Sequence, residues 1–473
     1  MKNPWNAARP LALIVLWLGG GGSIAAAAGT SPPLLRVDAS GRFLAREDGR
    51  PFFWLGDTAW ELLHRLNREE TLAYLDKRAA QGFTVIQTVV LAELDGLRVP
   101  NANGDLPLEN LDPTRPNEAY FRHVDFVVRA ANARGLYLGL LPTWGDKVKR
   151  AWGAGPEIFN VENARAYGEF LGRRYRDAGL VWILGGDRSP VGDEAVWGAM
   201  ARGLRAGDGG RHLITGHWAD GRVGRGSSPF FHREPWLDFN LAYSGHAWAA
   251  PNYRQIARDY ALRPIKPTLD GEPRYEDHPY IGDGSGFYSH RKRWDQITRG
   301  NAQQMRQAAY WALLAGAAGH TYGCHDVWQF YDGKRDPITH AITPWRRALD
   351  FPGARQMGLM RRLFESLPWT RLTPDPSLIV GGQGEGEHHA QAARARDGSF
   401  LLVYLPLGDP VTIRLSDLAG PRLRARWFNP RTGEWTPLGA LTPEARHAFT
   451  PPRRGRTWDW VLLVETASAP GKS

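Results

Sequence analysis

"FFWLGDTAW" (52–60), "NREETLAYLDKRAAQG" (67–82) and "FTVIQTVV" (83–90) follow one another as strand, helix and strand. The first is an apolar run that ends on Gly56 and Asp57. The second spaces Leu72, Leu75 and Ala79 at helical intervals and stops on Gly82. The third is apolar on both faces, as a strand of a parallel sheet covered on both sides must be. The same alternation continues through a helix around 118–134, "LYLGLLPTW" (136–144), a helix over 161–178 and "LVWILGGD" (180–187). A helix in "DEAVWGAMARGL" (193–204), "HLITGH" (212–217), "LDFNLAYSGH" (237–246), a helix over 252–261 and "KPTLDGE" (266–272) come next. A helix from about 301 to 317, "GHTYGCHDVWQF" (319–330) and a helix over 354–366 complete the series. Eight strands, nearly all followed by a helix, predict a (β/α)8 TIM barrel over residues 34–370. An open doubly wound sheet would carry a Gly-rich phosphate fingerprint after its first strand, and none is present.

Outside this region the pattern changes. From residue 371 short strands such as "SFLLVYLPL" (399–407) and "DWVLLVE" (459–465) alternate with Gly, Pro and Asp turns, "NPRTGEW" (429–435) among them. They predict a C-terminal antiparallel β-sandwich over 371–467. Residues 1–28 read as a signal peptide: Lys2 and Arg9 precede "LALIVLWL", and Ala26-x-Ala28 offers a cleavage site. The apolar centre is too short to span a bilayer. The expectation is a secreted or periplasmic protein with no membrane insertion after cleavage. A single cysteine, Cys324, excludes an internal disulfide.

The net charge of +10 comes mostly from scattered Arg, with no basic block, zinc-finger spacing or RNA-binding signature. Nucleic acid is therefore not expected as a partner. Twenty Trp residues, by contrast, suit a protein that handles sugars. Oligomeric state is not legible in the sequence.

Chemistry in such a barrel sits at the C-terminal strand ends. In "KPTLDGEPRYEDHP" (266–279), Pro273 holds the residue before it extended, so Glu272 is expected at the tip of strand seven, on one face with Asp270. Asp187 ends strand four, after two glycines that leave room for a close approach. Strands four and seven face each other across a barrel mouth, and glycoside hydrolysis needs two carboxylates, one protonated and one ionised. Capping the helix near Asp193 is the alternative role for Asp187. The remaining strand-end residues Asp57, Trp60, Gln87, Trp144, His217, Tyr243, His246, His320 and Trp328 form the expected substrate-binding set. No cofactor is expected, and no metal: His-x-His and HExxH patterns are both missing. A metal-dependent hydrolase on the same barrel and a non-catalytic carbohydrate-binding protein are the alternatives.

The blocks "FFWLGDTAWELLHRLNREE" (52–70), "GFTVIQ" (82–87), "DGLRVPNANGD" (95–105), "LYLGLLPTWGDK" (136–147), "WILGGDRSP" (182–190), "LDGEPRYEDHP" (269–279) and "GHTYGCHDVWQF" (319–330) give the chain a resemblance to a known family. It resembles the apiosidase-like glycoside hydrolases, family 140, which are exported barrels often followed by a small β-domain of collagen-binding type. The resemblance implies that Asp187 is the general acid/base and Glu272 the nucleophile, probing an oligo- or polysaccharide substrate. Loops 93–117, 145–160, 219–236 and 274–300 would set which sugar is cleaved.

Overall fold

The computed structural model describes residues 31–279, 298–443 and 446–467. The signal peptide expected at 1–28 lies outside the described residues. Eight parallel strands form the barrel: β1 (Trp54–Thr58), β2 (Val85–Leu91), β3 (Tyr137–Thr143), β4 (Leu180–Gly185), β5 (Ile214–His217), β6 (Asn240–Ala242), β7 (Thr268–Asp270) and β8 (Gly319–Cys324). They pair in the order β6-β7-β8-β1-β2-β3-β4-β5. Between β5 and β6 the cylinder is closed by Asp238 N–H donating to Ile214 O at 2.9 Å and Thr215 Oγ1 donating to Phe239 O at 2.7 Å. A three-stranded antiparallel sheet over 35–52 precedes the barrel.

Strand residues alternate between two apolar clusters, as the two-residue period of a strand requires. Trp54, Val85, Val89, Tyr137, Leu141, Val181, Ile183 and Leu269 fill the barrel interior. Leu55, Ile86, Val90, Leu138, Leu140, Trp182, Leu184 and Ile214 pack outward against helices. Those helices are α1 (Arg68–Ala80), α2 (Glu118–Asn132), α3 (Val161–Arg174), α4 (Glu194–Asp208), α5 (Asn252–Ala261), α6 (Ala302–Leu314) and α7 (Pro352–Glu365). Asn67, Asn160 and Asn301 start α1, α3 and α6 with reciprocal caps that satisfy otherwise orphaned N–H groups. The α3 and α4 backbones touch: a Cβ on Gly203 would lie 2.1 Å from Arg165 O, and one on Gly172 2.4 Å from Leu204 O. This close pair flanks β4, the strand that delivers Asp187. After β5 the chain makes only a single helical turn, Ser228–Phe231, with Pro229 in its first turn and Pro235 four residues past its end.

The C-terminal unit has a six-stranded sheet, β9-β11-β12-β17-β14-β15, and a three-stranded one, β10-β13-β16. Their ranges are β9 Leu372–Pro374, β10 Ile379–Gly381, β11 Gln391–Ala395, β12 Phe400–Leu405, β13 Val411–Ile413, β14 Leu423–Phe428, β15 Trp435–Leu441, β16 His447–Phe449 and β17 Trp460–Thr466. It is fastened to the outside of the barrel through α6. Arg306 donates from Nε and Nη2 to Asp459 at 2.8 and 2.6 Å, and the Tyr404 hydroxyl donates to the same carboxylate at 3.0 Å. Trp311 Nε1 donates to His389 O at 2.8 Å. Removing one partner of a buried ion pair strands the other charge, so Asp459→Ala is expected to lower stability by about 3–5 kcal/mol, read as a lower melting temperature. A melting temperature within one degree of wild type would show that the pair does not hold the two units together.

Candidate active site

β7 stops at Asp270, and Gly271 carries the chain into the barrel mouth. A Cβ at Gly271 would sit 2.4 Å from the Leu241 side chain, so only glycine fits there. Gly271 also ends the strand alternation. Asp270 turns to the helix layer, where Ser244 and Asn252 donate to it, whereas Glu272 turns into the mouth. The expectation that the two carboxylates share a face is thus corrected, because the strand ends between them.

Glu272 is buried and held at both oxygens. His217 Nε2 lies 2.7 Å from Oε2, and His246 Nε2 lies 3.1 Å from Oε1. Burial alone would favour the neutral acid, but the two imidazoles outweigh it and hold the Glu272 carboxyl well below the usual range. His217 is pulled the other way. Burial opposes its charge, yet Glu272 and then Asp187 raise it above an ordinary imidazole.

Asp187 reaches the site by a different device. Gly185 and Gly186 adopt φ of +95° and +127°, and Asp187 itself has φ 53°. A Cβ on Gly185 would meet His217 O at 2.2 Å, and one on Gly186 would meet Gly145 N and the Trp144 ring at 2.7 Å. The glycine pair therefore serves both the left-handed turn and the close approach. Asp187 Oδ1 lies 3.6 Å from His217 Nδ1. Burial, followed by the negative charge of Glu272, pushes Asp187 up to about 6. It caps no helix: α4 begins at Glu194, with Asp193 at the cap position. One ligand atom from each of Asp187, His217 and Glu272 lies within 4.8 Å of the others, so the two carboxylates face each other over an imidazole. Among the described residues this is the set whose spacing could also hold a metal ion.

Above the carboxylates opens a cleft of about 400 Å³. Trp60, Trp144, Tyr243, His246 and Trp328 of the expected binding set line it. His217 lies beneath, fully buried and stacked on Tyr243 with ring centroids 4.7 Å apart. It supports the carboxylates and does not line the cleft, which corrects its assignment to substrate binding. Three further expectations are corrected. Asp57 has the parity of Leu55 and points outward, accepting from Arg78 Nε at 2.7 Å and from the Tyr74 hydroxyl. Gln87 points inward but sits below the mouth, where its Nε2 donates to Gly271 O at 3.0 Å. His320 is buried and has the parity of Tyr322, opposite to Thr321, whose hydroxyl accepts from the interior Trp54.

Of the other cleft residues, Glu93, Trp152 and His278 were not singled out from the sequence. Glu93 follows β2, and its carboxyl is pushed far up by burial and then by the charge of Asp187. Trp152 is 65% exposed at the rim, with the Arg188 guanidinium 3.8 Å from its ring centroid. His278 stacks on His246 at 4.6 Å, and His325 meets His278 edge-on at 4.9 Å. "AWGAGP" (151–156), a Trp among turn formers, was the one signal that could have pointed to Trp152.

A parallel barrel with two carboxylates facing each other under an aromatic cleft is the arrangement of glycoside hydrolases. Residues 38–371 match the family model "Apiosidase-like, catalytic domain", so the chain belongs to the apiosidase-like family, and it is a glycoside hydrolase. Residues 373–465 match a model described as "Putative collagen-binding domain of a collagenase". A solved structure named "Glycoside hydrolase" is 31% identical, with 92% of this chain and 98% of that chain covered and a TM-score of 0.83. A glycoside hydrolase family 5 structure from Bacteroides vulgatus ATCC 8482 is 33% identical, with 93% and 95% covered and a TM-score of 0.83. Among curated proteins no relative matches the chain.

Proposed function

We propose that the protein is an exported, retaining glycoside hydrolase in which Glu272 is the nucleophile and Asp187 the general acid/base. The observation that carries this reading is the pair of carboxylates, one oxygen of each within 4.8 Å of the other, biased to opposite protonation states. Retaining enzymes hold their carboxyl groups about 5–5.5 Å apart, whereas inverting ones leave about 6.5–9.5 Å for a water. In the first step Asp187 gives its proton to the glycosidic oxygen while Glu272 attacks the anomeric carbon. The C–O bond breaks and its electron pair stays on the leaving oxygen. Glu272 is now an ester, so the charge that raised Asp187 is gone. Asp187 can then take a proton from the water that opens the ester. His217 and His246 hold the two Glu272 oxygens in place throughout.

The family description makes an apioside the first compound to try. A 4-nitrophenyl β-D-apioside, with a panel of plant and microbial polysaccharides read by reducing-sugar release, tests the activity. Turnover of at least one supports the reading; loss of all turnover on adding EDTA, restored by a divalent ion, would favour a metal-dependent mechanism on the same three side chains. Export predicts a mature chain beginning at Gly29, checked by N-terminal sequencing; an intact Met1 in the membrane fraction contradicts it.

The cleft aromatics divide into two kinds. Trp152 is exposed, so Trp152→Ala is expected to raise KM by roughly five- to ten-fold with the melting temperature unchanged. Trp144 is 1% exposed, so Trp144→Ala is expected to cost about 3–5 kcal/mol of stability as well. Equal stability losses in both variants would contradict the division.

A further inference from the structure

The C-terminal unit reaches toward Glu272 through one amide. β7 ends at Asp270, so Glu272 stands two residues past the strand ladder. On one side its backbone is tied by Gly245 N–H, which donates to Glu272 O at 3.0 Å. On the other, Pro273 has no N–H to offer, and the next anchor is Arg274. That side chain is 1% exposed and turns into the helix layer. Its Nη1 donates to Gln307 Oε1 at 2.8 Å, and its guanidinium carbon lies 5.5 Å from the Trp311 ring centroid. Gln307 and Trp311 are four apart on α6 and so share a face. Both are also bonded to one turn of the C-terminal unit. Gln307 Nε2 donates to Glu387 O at 2.9 Å, and Trp311 Nε1 donates to His389 O at 2.8 Å. The His389 ring is stacked on Tyr253 of α5, with centroids 3.9 Å apart.

A carboxamide accepts at one end and donates at the other. Glu387 O can only accept, so it takes the Nε2 end of Gln307 and leaves Oε1 facing the Arg274 guanidinium. Turned over, the amide would set its NH2 against another donor and its oxygen against a carbonyl. The C-terminal unit thereby decides that Arg274 meets an acceptor. Pro273 fixes φ between Glu272 and Arg274, so a shift of Arg274 passes along the backbone. Tyr275, next in the chain, packs on the His246 ring with centroids 4.4 Å apart, and His246 holds Glu272 Oε1. We infer that Gln307 is a positioning residue for Glu272, acting through Arg274, and that the C-terminal unit serves the reaction by orienting the Gln307 amide. The inference rests on Glu272 being the nucleophile.

The test reads the attack of Glu272 itself, as the rate of ester formation with a 2-deoxy-2-fluoro glycoside bearing a dinitrophenyl group. The dinitrophenol released at completion counts the active sites, so a less stable variant is not mistaken for a slower one. Gln307→Met keeps the side-chain length and removes both polar ends, whereas Gln307→Glu keeps an acceptor at either end and has no orientation to fix. Per active site, ester formation is expected to slow by roughly ten- to 100-fold in Gln307→Met and to stay within about three-fold of wild type in Gln307→Glu. His389→Ala loosens the turn that carries Glu387 O. It is expected to slow ester formation about five-fold alone, and to have no effect when combined with Gln307→Glu. Equal rates in Gln307→Met and Gln307→Glu would overturn the positioning role. An equal effect of His389→Ala in both backgrounds would overturn the part given to the C-terminal unit. Should Gln307→Met fail to fold, the His389→Ala comparison decides alone. No ester in wild type would instead overturn the nucleophile assignment, and this inference with it.

Discussion

Glu272→Gln should lower kcat by roughly 10⁴-fold or more on every substrate, including activated aryl glycosides, because an amide cannot form the glycosyl ester. Leaving-group quality should not matter, since the attacking oxygen itself is gone. A second effect should accompany the first. Asp187 is raised by burial and then by the charge of Glu272, so in Glu272→Gln its pKa should fall toward an ordinary carboxylate. Carbon-13 NMR of labelled Asp follows that change. Near-normal turnover of Glu272→Gln would remove Glu272 from the chemistry.

Asp187→Ala should behave differently. Loss of a general acid costs roughly 10²–10⁴-fold when the leaving oxygen needs a proton. An activated aryl glycoside needs none, so the first step should survive there and the ester should accumulate. Azide requires no base and should release the ester as the glycosyl azide. The pH profile supplies a second check. Protonated Asp187 is the active form, so wild-type kcat/KM should fall ten-fold per unit as pH rises above about 6. Glu272 is held ionised below the usual carboxylate range, so the acid limb should lie below about pH 4. Asp187→Ala should lose the alkaline limb and keep the rest. Unchanged profiles in the variant would contradict the assignment.

The barrel was legible because its strands are apolar on both faces and its helices carry their own start and stop signals. Asp187 and Glu272 were legible because each follows a glycine just past the end of an apolar strand. The residues around them were less so, since a strand end says nothing of which way a side chain points. Asp57 lies one position from inward-facing Gly56 and so turns to Arg78 and Tyr74. Gln87 points inward but one layer too deep, and His320 has outward parity. Glu93 and Trp152 come from loops, whose paths follow contacts distant in sequence, such as Arg188 against Trp152. No local pattern encodes those contacts.

A nucleophilic Glu272 must become covalently bound to the sugar during turnover. A 2-deoxy-2-fluoro glycoside with a dinitrophenyl leaving group, built on the sugar whose aryl glycoside turns over, slows the second step and traps the ester. Intact-protein and peptide mass spectrometry should then find one sugar per chain, on the peptide that contains Glu272. No adduct together with a product of inverted anomeric configuration, or an adduct on another residue, would contradict it.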